Sequence, residues 1–178
     1  MKLYWLAFLL VPLLAAHQSQ KPSAVAAAQT SRQLAGQTQF VSDAPTGETT
    51  SVKADAEQAI KHVLVSQMEA WNRGDLQGYM SGYSHSTDLT FFSGATVTKG
   101  WQPTLERYQK RYQGEGKEMG RLEFQDLNVD VLFPTTAVVT GKWQLTMSDG
   151  KQLGGLFTLV FKRQQDGWRI VHDHTSAG

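Results

Sequence analysis

The sequence predicts an α+β fold: a curved antiparallel sheet, cone-shaped overall, with three N-terminal helices packed on its concave face. Three observations carry this. Apolar residues recur at helical spacing between Asp55 and Tyr112, and at period two after Leu122. Helices first and strands later is the α+β pattern. Asp149-Gly150 and Asp166-Gly167 each join two alternating stretches and read as hairpin turns. The alternation also changes phase near Gln125-Asp126, the mark of a bulge that bends a strand and curves its sheet.

The elements follow in order. Asp55 is placed to cap the first helix, with Gln58 at the capping-box position. Ile60, Val63, Leu64, Met68 and Trp71 form its apolar stripe, and Gly74 stops it in a left-handed conformation. Asp75 caps a second, shorter helix that bears Leu76, Tyr79, Met80 and Tyr83. Asp88 to Ser93 reads as a strand, with Val97-Thr98 as a short partner. Pro103 sits in the first turn of a third helix, whose stripe is Trp101, Leu105, Tyr108 and Tyr112, ended by Gly114 and Gly116. Strands then run through Leu122 to Val131, Ala137 to Met147, Leu153 to Phe161, and Trp168 to Thr175. Gly154-Gly155 interrupts the third of these, which weakens it but permits a close approach or a second bend.

The whole chain bounds the function. It has 178 residues, a formal net charge of +1 and no cysteine. That length fits one domain plus an extension. No basic run or stripe supports nucleic-acid binding. Without cysteine there are no disulfides, thiolate metal ligands, cysteine nucleophiles or lipid anchor through an N-terminal cysteine. Met1-Lys2 followed by the apolar run Leu3 to Leu14 suits a secretory signal and is too short to span a bilayer. Residues 1–16 are therefore expected to be a signal peptide, and the protein to be periplasmic or secreted, with no stable membrane insertion after processing. The cleavage point stays open between Leu14-Ala15-Ala16 and Ala24-Val25-Ala26. Residues 17–53, rich in Ala, Gln, Ser and Thr, read as a flexible linker, because so few large apolar side chains cannot offset the entropy of ordering. The cone domain occupies 54–178.

A bent sheet over helices leaves a hollow that is hard to fill. The helices point Trp71, Tyr79, Tyr83, Trp101, Tyr108 and Tyr112 toward it, and Trp143 and Phe157 face them from the sheet. Such a hollow becomes either an aromatic core or a ligand pocket. The last strand adds titratable groups. Strict alternation puts Trp168, Ile170, His172 and His174 on one face and Arg169, Val171, Asp173 and Thr175 on the other. Alternation alone leaves open which face lines the hollow. Asp173, if inward, is a desolvated carboxylate suited to acid–base catalysis; if outward, it is an ion-pair partner for Arg169. His172 and His174 belong to the pocket or to an interface. They lack an evident third ligand, so no metal is expected, and no cofactor motif is present.

The chain resembles the nuclear transport factor two-like superfamily, also called SnoaL-like or ketosteroid-isomerase-like. The carriers are Asn72-Arg73-Gly74-Asp75, Gly100-Trp101, Gly154-Gly155 and the run from Asp166 to Ser176. They are most similar to small stand-alone bacterial members and to the association domain of calcium/calmodulin-dependent protein kinases. The resemblance covers about Asp55 to Ala177. It implies a cone that forms a homodimer or a larger homo-oligomer through its sheet, and it implies no single activity, since the fold hosts isomerases, dehydratases, cyclases, hydrolases and binding modules. The isomerases' acidic base and paired oxyanion donors do not map onto particular residues here. The kinase domain's pocket arginine is replaced by Thr175. Two functions remain: an exported, self-associating small-molecule-binding domain, or an acid–base enzyme acting on a carbonyl compound through Asp173 and a tyrosine such as Tyr83 or Tyr108.

Overall fold

The first helix of the computed structural model, α1 (Thr46–Asn72), sets the frame for everything after it. The structure describes residues 46–115 and 117–178. The expected signal peptide, and the expected linker as far as residue 45, lie outside the described residues. The helix starts at Thr46, not at Asp55, so Asp55 lies inside it and caps nothing. Residues 50–55 are all exposed. Apolar periodicity reports where a helix is covered, and backbone hydrogen bonding carries α1 beyond that stretch. The buried stripe is Ala56, Ile60, Leu64, Gln67 and Trp71, on the steps of three and four that keep one face inward.

Gly74 (φ +78°) turns the chain, and the Asp75 side chain accepts the Gly78 amide at 2.8 Å to cap α2 (Leu76–Met80). That helix is shorter than the sequence implies. Tyr83 lies past its end, where it bridges to Ile170. Strands β1 (Thr90–Ser93) and β2 (Thr96–Lys99) precede α3 (Trp101–Tyr112). Four long strands follow: β3 (Arg121–Phe133), β4 (Thr136–Thr146), β5 (Gln152–Gln164) and β6 (Gly167–Thr175). The sheet order is β2-β1-β6-β5-β4-β3. All neighbours are antiparallel except β1 and β6, which run parallel, so the sheet is mixed where the sequence suggested a purely antiparallel one.

Two bulges shape this sheet. In β3, Gln125 pairs with Lys142 and Asn128 with Thr140, so Asp126 and Leu127 together oppose Gly141. Asp126 takes φ 53°, a left-handed conformation that aspartate tolerates. A side chain at position 141 would meet Leu127 and Phe157 at under 3 Å, so glycine makes room for the bend. In β6, Ile170 pairs with Phe161 and His172 with Val160, which leaves Val171 without a partner on β5. Trp168 and Ile170 are buried before this bulge, and Asp173 after it.

The end of α1 is clamped to the start of β3. Asn72 Nδ2 donates to the Leu122 carbonyl at 3.0 Å and its Oδ1 accepts the Leu122 amide at 2.7 Å. The Trp71 indole donates to the Gly120 carbonyl at 3.1 Å. Gly154-Gly155 has a comparable role across the sheet. The chain after β6 lies against it, with the Ser176 carbonyl where a Gly155 side chain would be, the Ser176 amide bonded to Leu156 and the Gly178 amide bonded to Gly154. Replacing Asn72 by Ala removes two hydrogen bonds between helix and sheet. The expected loss is about 1–3 kcal/mol, at the usual net worth of a hydrogen bond, read as a lower urea midpoint with an unchanged slope.

Candidate functional site

The curved sheet and the helices enclose a cavity of about 600 Å³. Seven of the eight aromatic side chains expected there line it: Trp71 from α1, Tyr79 from α2, Tyr83 from the following turn, Tyr108 and Tyr112 from α3, Trp143 from β4 and Phe157 from β5. They meet mainly edge to face. Trp71 stands at 5.1 Å from Tyr79, 5.9 Å from Tyr108 and 4.8 Å from Tyr112, the geometry that ring quadrupoles favour.

Trp101 is the exception. It starts α3, and its indole donates to the Met80 carbonyl at 2.9 Å while its ring packs on His85 at 4.4 Å. It fastens α3 to the end of α2 and contributes nothing to the cavity wall, because the first turn of α3 faces α2 rather than the sheet.

The β6 bulge decides the polar chemistry. Strict alternation groups Asp173 with Arg169 and Val171, and sets Trp168, Ile170 and the histidines against them. With Val171 unpaired, the phase shifts by one residue. Ile170, Asp173 and Thr175 line the cavity. His172 and His174 lie on the opposite face. There Thr90 Oγ1 hydrogen-bonds His172 Nδ1 at 2.6 Å, and Phe92 packs against both imidazoles. The histidines are therefore not pocket residues. Among the described residues, no three His, Cys, Asp or Glu side chains gather closely enough to hold a metal ion. Arg169 does not pair with Asp173; it bonds Asp166 at 3.0 Å.

Asp173 is 4% exposed. Its Oδ2 accepts a hydrogen bond from the Tyr83 hydroxyl at 2.8 Å, and its buried Oδ1 has no partner. Behind Tyr83 the hydroxyls continue: Tyr83 to Tyr79 at 3.3 Å and Tyr79 to Tyr108 at 3.5 Å. Burial pushes the Asp173 carboxyl up from 3.8 to about 7, against the opposing pull of the Tyr83 hydrogen bond. Burial, and then the Asp173 charge, raises Tyr79 to about 12. The same two causes lift Tyr83 well above its usual value, and burial, then Tyr79 and the Asp173 charge, lift Tyr108. The phenols therefore stay protonated while the carboxyl exchanges its proton near neutrality. A desolvated carboxyl with one unpaired oxygen, on a residue that lines a cavity, is suited to exchanging a proton.

Sequence reasoning missed several lining residues. Gln67 is buried, donates to the Tyr79 carbonyl at 2.9 Å and lines the cavity. Its place between Leu64 and Trp71 on the helical stripe was the available signal. Phe91, two residues after buried Leu89, was marked by its alternation. Arg107, Lys110, Arg111 and Lys117 also line the cavity, and nothing in their spacing distinguishes them from a solvated helix face.

Residues 60–178 match the SnoaL-like domain family. The chain belongs to that family. No curated protein matches it. Among solved structures, a nuclear transport factor 2-like protein of unknown function from Shewanella oneidensis MR-1 is 36% identical, with a TM-score of 0.63; the match covers 67% of this chain and 98% of that one. A nuclear transport factor 2-like superfamily protein from Salmonella enterica serovar Typhimurium LT2 is 21% identical, with a TM-score of 0.59, over 72% and 92% of the two chains. One from Pseudomonas putida KT2440, also of unknown function, is 20% identical at a TM-score of 0.59, over 71% and 88%. The fold of this SnoaL-like domain is therefore the nuclear transport factor 2-like one.

The raised Asp173 value makes a signed prediction. A carboxyl whose folded-state pKa exceeds its unfolded value binds more protons when folded. Stability then falls as pH rises from about 4 to about 7, and levels off above that. Asn in place of Asp173 keeps the shape and never ionises. Chemical denaturation across this range should show D173N gaining on the wild type up to about pH 7, by at most about 4 kcal/mol at 1.36 kcal/mol per pKa unit. A difference independent of pH would refute the shift.

Proposed function

We propose that this SnoaL-like domain binds a small, partly aromatic or apolar molecule in its cone and moves a proton on it through Asp173. One observation carries the reading: Asp173, a residue lining an aromatic cavity, holds a buried carboxyl whose Oδ1 has no partner. A group that titrates near 7 has both protonation states at hand at neutral pH, which is what acid–base work requires. Ionised, Oδ1 accepts a proton from an acidic C–H or O–H beside a carbonyl. Protonated, it returns one. The Tyr83 hydroxyl donates to Oδ2 and holds the carboxyl in place, with Tyr79 and Tyr108 behind it. The aromatic walls exclude water and so strengthen each of these interactions.

A second reading, binding without chemistry, rests on the same hydroxyls. Each already bonds another tyrosine or Asp173, so none is free to serve an oxyanion. D173N separates the two. Enzymatic action on carbonyl compounds should fall by about two orders of magnitude or more, the usual reach of a positioned base, with binding retained. Turnover that survives the substitution eliminates the acid–base role and leaves a receptor.

Export and self-association belong to the same proposal. The positively charged start and apolar run of Leu3 to Leu14 support secretion to the periplasm or beyond. The outer sheet face supports assembly. There Leu156 is 58% exposed, and Phe92 lies beside His172 and His174. Sheet-to-sheet pairing is also what the family resemblance implies. The protein from the periplasmic or culture fraction should be processed and run as a dimer or larger species in sizing coupled to light scattering. An unprocessed cytoplasmic chain that stays monomeric at high concentration overturns both.

A further inference from the structure

From the cationic side chains of α3 and the loop after it, we infer that the cone takes an amphiphilic anion, with an apolar body inside and a carboxylate or similar anionic group at the opening. This deepens the proposed binding function and rests on it. Arg107, Lys110 and Arg111 from α3 and Lys117 from the loop after it all line the cavity. Lys110, Arg111 and Lys117 are exposed, so they stand where the cavity opens. None of the four makes an ion pair among the described residues, whose bridges join other side chains.

The negative end of α3 explains part of this. Lys110 and Arg111 occupy its last turn, where cations are favoured. It does not account for Arg107, a turn earlier, or for Lys117, beyond the helix. Arg107 is already held in place: its guanidinium donates to Thr98 Oγ1 at 2.9 Å and lies over the Phe91 ring at 4.9 Å. Two of the acids near them in sequence, Glu106 and Glu118, are turned to other partners. Glu106 accepts from Gln102, and Glu118 from the Ser148 amide. Asp173 is the only carboxylate among the lining residues described.

The two charged regions of the wall therefore ask for different groups. The Asp173 carboxyl repels an anion when ionised and asks for a neutral hydrogen-bonding group. The cations at the opening offer one negative group up to four N–H-bearing partners. Trp71, Phe124, Trp143 and Phe157 line the same cavity and offer an apolar surface to a planar or hydrocarbon body. A cavity of about 600 Å³ is the size of ordinary small-ligand sites.

The test compares 2-naphthylacetate with its primary amide, two probes of nearly equal shape that differ in charge. Binding is read by calorimetry and by quenching of tryptophan fluorescence. The acid should bind about tenfold more tightly than the amide at low ionic strength. Its advantage should shrink severalfold in 0.5 M salt, where exposed charges are screened within a few ångströms. It should also vanish in the triple variant K110Q/R111Q/K117Q, whose three exposed positions leave the fold intact, while amide binding stays unchanged. Equal affinity for acid and amide, or an acid preference that the triple variant retains, overturns the charge assignment and leaves the cavity reading standing. Failure of both probes overturns the cavity reading and the charge assignment with it.

Discussion

Val171 has no partner on β5, and through that one residue the last strand changes the side on which its chemistry lies. With regular pairing, Asp173 would stand on the outer sheet face and the two histidines would press into the aromatic hollow. The extra residue sits where β6 exchanges neighbours. Up to Ile170, its free edge is covered by Gly82 to Ser84, which bond to the Ile170 amide and carbonyl; from His172 onward, β1 takes over. The same turn that covers the edge carries Tyr83, whose hydroxyl reaches Asp173. Bulge, edge change and carboxyl–phenol pair are thus one local arrangement. A repacking that restored regular pairing would dismantle all three.

That arrangement carries an energetic cost that the rest of the domain offsets. Holding a carboxyl out of water with one oxygen unbonded works against folding. The offset comes from the aromatic lining and from fully buried side chains such as Ile60, Leu64, Met80, Leu105, Phe161 and Ile170. The protein thus tolerates a destabilised group on a residue that lines its cavity, which is the arrangement the proposed acid–base role would use.

The fold was largely legible because its signals are apolar. The β3 bulge was visible in sequence since Leu122 and Phe124 precede it and Leu127, Val129 and Val131 follow it, so a change of phase shows against hydrophobic residues on both sides. The β6 bulge was invisible for the opposite reason. The inward residues after it are Asp173 and Thr175, which look like any outward polar pair. The tyrosine stripes and Trp71 run along the cavity wall. Trp101 was misplaced because a helical stripe says which residues share a face, not which neighbour the face meets at each turn. The basic residues of α3 gave no warning, since exposed cations are what any solvated helix displays.

The segment from Ser176 to Gly178 gives the cavity one wall of a different mechanical kind. Most of the other lining residues stand on helices and strands. This wall is a short strap. Its Ser176 and Gly178 amides reach β5, and its Ser176 carbonyl receives the Trp143 indole at 3.0 Å. Few bonds have to break for it to lift, and the glycine pair beneath it offers no side chains to grip. The room available to a guest is therefore adjustable at this seam by breaking few bonds, and Trp143, bonded directly to the strap, is a built-in optical reporter of its position.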